Sequence, residues 1–79
     1  MQTFTVYIMA NSIQTCSQID SRLADWDGGA AVIDASKGCS IVAMVTANTI
    51  DAVSCDEIRR SINDCIGNDA GRVVTVTED

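Results

Sequence analysis

The side chains able to do chemistry in this chain are Cys16, Cys39, Cys55, Cys65 and a surplus of carboxylates, and histidine is absent. That absence removes the usual general base, the Ser-His and Cys-His nucleophile pairs and the commonest metal ligand. No two cysteines stand as Cys-x-x-Cys, so neither a zinc site nor a thioredoxin-type motif is signalled. The glycine-bearing loops, Gly28-Gly29 and Gly67 to Gly71, match neither G-x-G-x-x-G nor a P-loop and read as helix stops. Asp25/Asp27 and Asp56/Glu57 are pairs of acids near in sequence, a pattern commonest on solvated surfaces. No residue is therefore assigned a catalytic, cofactor-binding or metal-binding role, and the expectation is a protein that is not an enzyme.

Eleven acids against five basic residues give a formal charge of −6. A field of that sign repels phosphate, which disfavours direct nucleic-acid binding and favours a protein partner with a basic surface. The same charge also serves solubility. Met1 to Asn11 shows no basic n-region followed by an apolar stretch, and no segment approaches the ~20 apolar residues of a membrane span. The expectation is a cytoplasmic protein without membrane contact whose four thiols are reduced.

Apolar residues make up 47% of the 79 residues, enough for one domain with one core. Thr3 to Met9 alternates as a strand does, with Phe4, Val6 and Ile8 on one side and Thr5, Tyr7 and Met9 on the other. Asn11 or Ser12 is placed to cap a first helix, whose Ile13, Cys16, Ile19, Leu23 and Trp26 share one stripe and which Gly28-Gly29 ends. Ala30 to Ala35 and Ser40 to Thr46 read as strands joined by a hairpin turn at Ser36 to Gly38.

Asn48 to Val53 reads as a connecting loop or a single turn. Ser54 and Glu57 have the spacing of a capping box, so a second helix begins there, carries Cys55, Ile58, Ile62, Cys65 and Ile66 on its apolar stripe and stops at Gly67. On those stripes Cys16, Cys55 and Cys65 act as small hydrophobes. Arg72 to Thr77 is the last strand.

The order βαββαβ is that of an α+β, ferredoxin-like fold, a four-stranded antiparallel sheet of strand order 4-1-3-2 with two helices on one face. That topology brings Asp25, Asp27, Asp51, Asp56, Glu57, Glu78 and Asp79 to one end as a candidate partner-binding surface. Arg59 and Arg60 are spaced to pair with Asp56 and Glu57. The opposite end would carry Asp34, Asp64 and Asp69 against Lys37 and Arg72. The open sheet face would present Tyr7, Met9, Val42 and Met44 among threonines, a candidate surface for self-association as a homodimer. With Tyr7 its one aromatic residue, that face lacks the stacking platform of an RNA-recognition module.

A compact acidic domain without catalytic equipment resembles the small phage-encoded inhibitors of bacterial defence, anti-CRISPR proteins among them. The likeness covers the whole chain and rests on no diagnostic residue. It implies a stoichiometric inhibitor or adaptor, acting in the host cytoplasm, that covers a nucleic-acid-binding surface of a larger complex. The alternative is an ACT-like regulatory or small-ligand module acting as a homodimer. A glycine at the first strand-helix junction would favour it, and the chain has Ala10-Asn11 there.

Overall fold

Burial divides the first strand residue by residue. Phe4, Val6 and Ile8 are closed to solvent, while Tyr7 and Met9 on the other side are exposed. The computed structural model describes residues 2–34 and 41–79. Along them run β1 (Gln2–Ala10), α1 (Thr15–Leu23), β2 (Gly29–Ile33), β3 (Val42–Thr49), α2 (Cys55–Ile66) and β4 (Gly71–Glu78). The strands form one antiparallel sheet in the order β2-β3-β1-β4, which is the expected 4-1-3-2 read from the other edge. The predicted hairpin turn at Ser36 to Gly38 lies outside the described residues.

Both helices pack on the side of the sheet that carries Phe4, Val6, Ile8, Val45 and Ala47. They contribute Ile19 and Leu23 from α1 and Ile58, Ile62 and Ile66 from α2. At roughly 25 cal/mol per Å² of apolar surface removed from water, this one layer of contact is the main favourable term holding the fold.

α2 starts where its sequence says. The Ser54 hydroxyl accepts from the Glu57 backbone N–H at 3.2 Å, and the Glu57 carboxylate accepts from the Ser54 N–H at 3.4 Å. Two helix-end donors are satisfied reciprocally. At the other end Gly67 takes φ 77° and ψ 151°, a positive-φ stop that is not left-handed helical.

α1 is shorter than its apolar stripe predicts. Residues 11–14 form turns in which the Thr15 hydroxyl donates to the Ser12 carbonyl and accepts the Ser12 N–H, so the helix begins at Thr15 and neither Asn11 nor Ser12 is its N-cap. Ile13 consequently leaves the stripe and is 63% exposed. Past Leu23 the chain continues in i→i+3 bonds, Asp25 N–H to the Arg22 carbonyl and Trp26 N–H to the Leu23 carbonyl, which turn Trp26 back into the core. Its indole N–H donates to the Ser61 hydroxyl at 2.8 Å and ties the end of α1 to α2. The glycines are thus not the stop of α1. Gly29 opens β2 instead.

Arg22 performs a second tie. Its guanidinium donates to the Ile66 carbonyl at the end of α2 and grips Asp69 with two bonds, at 2.8 and 3.0 Å. That hydrogen bonding holds the Asp69 carboxyl below its usual range and raises Arg22. The pair's contribution is present above the ordinary carboxylate pKa and is lost as pH falls through the lowered one.

The cysteines require a correction. Cys55 and Cys65 are free thiols, but Cys16 is disulfide-bonded. Cys39 lies outside the described residues. The expectation of four reduced thiols rests on the N-terminal sequence and on spacing, and neither measures the distance between sulfurs in the fold.

Candidate functional site

Among the described residues, three adjoining clefts open on the helical layer. Asp25, Trp26, Asp27, Ser61, Asp64 and Cys65 line one of about 360 Å³. Across the Trp26–Ser61 bond lies a second, of about 220 Å³, with Val53, Ile58 and Glu57 in its wall. The third, of about 410 Å³, shares Asp64 with the first and adds Asp56, Arg59, Arg60 and Asn63.

Five carboxylates, with Arg59 and Arg60 beside Asp56, therefore border one continuous surface, positioned by the tail of α1 and the outer face of α2. The structure brings together Asp25, Asp27, Asp56 and Glu57 of the predicted acidic end. It adds Asp64, which sequence reasoning had placed at the opposite end, because Trp26 packs beside Ser61 and brings Asp25 and Asp27 alongside the middle of α2.

The remaining predicted acids stand apart from these clefts. Asp51 is exposed between β3 and α2. Glu78 accepts from the Gln2 amide at 2.7 Å, while the same amide's oxygen accepts the Val53 N–H. Asp79 accepts from the Thr5 hydroxyl at 3.0 Å, and Thr5 lies on the strand side opposite the core, so this carboxylate belongs to the open sheet face.

The predicted pairing of Arg59 and Arg60 with Asp56 and Glu57 is also corrected. Among the described residues the ion pair is Arg22–Asp69. Arg59 reaches across to the Val73 and Val74 carbonyls at 3.4 and 3.2 Å, and the Asn63 side chain accepts the Val73 N–H at 2.7 Å. These groups lie where β4 slips register against β1. Satisfying strand-edge groups that the bulge leaves unpaired outweighs a solvated i,i+3 pair.

Cys65 lines the first cleft with Asp25, Asp27 and Asp64. Burial first, then Asp25 and Asp27, push its pKa up, only partly opposed by Arg22, and its Sγ donates to the Arg22 carbonyl. A nucleophilic thiol needs the reverse setting, with a nearby cation and a lowered pKa. Alkylation of Cys65 by iodoacetamide near neutral pH should accordingly run severalfold slower in the native protein than in the urea-unfolded chain. Peptide mapping by mass spectrometry reads this, and equal rates would contradict the environment described.

Among the described residues no three cysteine or acidic side chains converge as a metal site, and no buried side-chain nitrogen or oxygen lacks a hydrogen-bond partner. No helix among them is long and apolar enough to cross a membrane. On the other side of the sheet, Tyr7 pairs with Met44 and Met9 with Val42, so the four predicted contact residues form one block on the two central strands. The molecule is thus a two-layer α+β domain with an acidic helical layer and an apolar centre to its open sheet face. No protein-family model, curated protein or solved structure matches the chain.

Proposed function

We propose that this protein is a non-enzymatic inhibitor or adaptor that docks its acidic helical layer on a basic, nucleic-acid-handling surface of a larger complex. The ferredoxin-like arrangement is the frame of this reading, and the phage-encoded anti-CRISPR type of inhibitor is its functional model. The observation that carries it is the set of Asp25, Asp27, Asp64 and Glu57 around the Trp26–Ser61 contact, with Asp56 in the adjoining cleft beside Arg59 and Arg60. Carboxylates so arranged attract lysine and arginine side chains over a Debye length of about 8 Å at physiological salt and speed encounter.

Trp26 is the chain's one tryptophan and lines two of the clefts, so its fluorescence reports their occupation. Titration with an arginine-rich peptide should change that signal and weaken with rising salt. Asp25→Asn with Asp27→Asn should slow association about three- to tenfold at low salt, with the melting temperature nearly unchanged. Asp20→Asn with Asp51→Asn removes the same charge away from the clefts and should have a smaller effect. Equal losses in the two double variants would reduce the reading to net charge alone, and no loss in the first would remove the clefts from the interface.

A further inference from the structure

The open sheet face poses a separate question, because its centre is apolar in a chain whose charge is −6. Tyr7 is 38% exposed, Met9 39% and Val42 48%, and Met44 beside them is half-buried. Among the described residues the charges on this side stand at its margins, with Arg72 and Asp79 near the two ends of β4 and Asp34 just beyond β2. Threonines fill much of the remainder, including Thr46, Thr75 and Thr77. An apolar centre with a polar surround is the anatomy of a protein interface.

We infer that a second copy of this chain covers the face, in a two-fold dimer whose axis passes through the block of Tyr7, Met9, Val42 and Met44. Three observations select that occupant. The first is area. Three strands of eight or nine residues and β2 of five, at about 3.3 Å per residue and about 4.8 Å between strands, span roughly 500 Å². The broadest side of the Cα envelope, 33 × 24 Å, sets an upper bound of about 800 Å². Two copies so packed bury roughly 1,000 Å² in total and at most about 1,600 Å², which meets the ~1,000 Å² that a specific interface needs.

The second is electrostatic. Face-to-face sheets lie about 10 Å apart, and each helix layer lies a further ~10 Å behind its sheet, so the two acidic layers are separated by roughly 30 Å. That exceeds three Debye lengths at physiological salt, so the mutual repulsion is screened. A dimer through the helical layers would set the five cleft carboxylates of one copy against those of the other.

The third is the closed edge. Arg59 and Asn63 already occupy backbone groups of β4 at Val73 and Val74, so a second copy adding a strand along that part of the edge would have to displace them. Because the contact repeats one block on itself, each favourable substitution or clash acts twice.

Sedimentation equilibrium of the full chain, from low micromolar to near-millimolar concentration at physiological salt, tests the inference. The wild type should dimerise, and its dissociation constant should move less than about threefold between low and physiological salt, unlike binding at the acidic clefts. Tyr7→Lys, at an exposed position on a central strand, should weaken the dimer at least tenfold while melting cooperatively. Met44→Glu should do the same. If Met44→Glu fails to fold, Tyr7→Lys carries the test by itself. A wild type that stays monomeric throughout, or a dimer that Tyr7→Lys leaves intact, overturns the inference. The latter result would place the contact at the edge of β2 or on the helical layer.

Discussion

Ile62→Ala is expected to lower the unfolding free energy by about 2–5 kcal/mol. Ile62 sits in the middle of α2, is closed to solvent and belongs to the single core cluster that also holds Phe4, Val6, Ile8 and Trp26. Truncation removes three buried carbons, losing their transfer free energy and leaving a cavity that the rigid sheet below can fill only in part. A domain of this size commonly has ~4–12 kcal/mol in all, so the change could consume much of the total. Urea melts followed by Trp26 fluorescence measure it, since that residue is in the same cluster. A loss under about 1 kcal/mol would mean that α2 does not present this face to the sheet.

Gly29→Ala is expected to cost on the order of 3 kcal/mol through a different mechanism. Gly29 takes φ 153°, and a Cβ built there would lie 1.9 Å from the Asn48 carbonyl oxygen. The obstructing atoms are backbone, with the Thr49 Cα at 3.0 Å as well, so no side-chain rotation relieves the overlap. Gly29 and Thr49 are the terminal pair of the β2–β3 ladder, and the variant must either strain this φ or pull β2 away from β3. Hydrogen exchange should show lost protection in β2 before α2 is affected, beside a lowered melting temperature. Gly28→Ala is the instructive neighbour. The three atoms nearest its Cβ would all belong to the Trp26 ring, the first at 2.6 Å, so its strain falls on the Trp26–Ser61 contact instead of the ladder. Native stability in Gly29→Ala would show that β2 does not require this close approach.

The two surfaces lie on opposite layers, which makes their roles separable. Removing charge at Asp25 and Asp27 should leave dimerisation unchanged. Adding it at Tyr7 should leave the salt dependence of basic-peptide binding unchanged. A two-fold dimer through the sheets would also present two acidic layers facing away from each other, so that one dimer could engage two basic sites.

The amino-acid order by itself determined the features that depend on near neighbours. Alternation of Phe4, Val6 and Ile8 with Thr5, Tyr7 and Met9 specifies both the strand and its buried side, because partition between water and core acts on each side chain separately. Ser54 and Glu57 specify the start of α2 because both capping bonds close within four residues. With two helices and four strands so located, the handedness of their connections led to the strand order found. Periodicity misled at Ile13, where a local Ser12–Thr15 turn displaces the first turn of α1 and puts an apolar side chain in water.

Only the tertiary structure decided which groups meet across the chain. Arg59 could have bonded an acid one turn away and instead finds carbonyls 14 and 15 residues on, at a bulge that no local pattern announces. Asp64 joins Asp25 and Asp27 because the chain stays coiled past Leu23 and seats Trp26 against Ser61, 35 residues away. The Cys16 disulfide and the Arg22 grip on Asp69 are of the same kind. Such contacts depend on distances between elements. Those distances are set when the whole core packs at once, so the acidic surface could be foreseen in composition and only partly in membership.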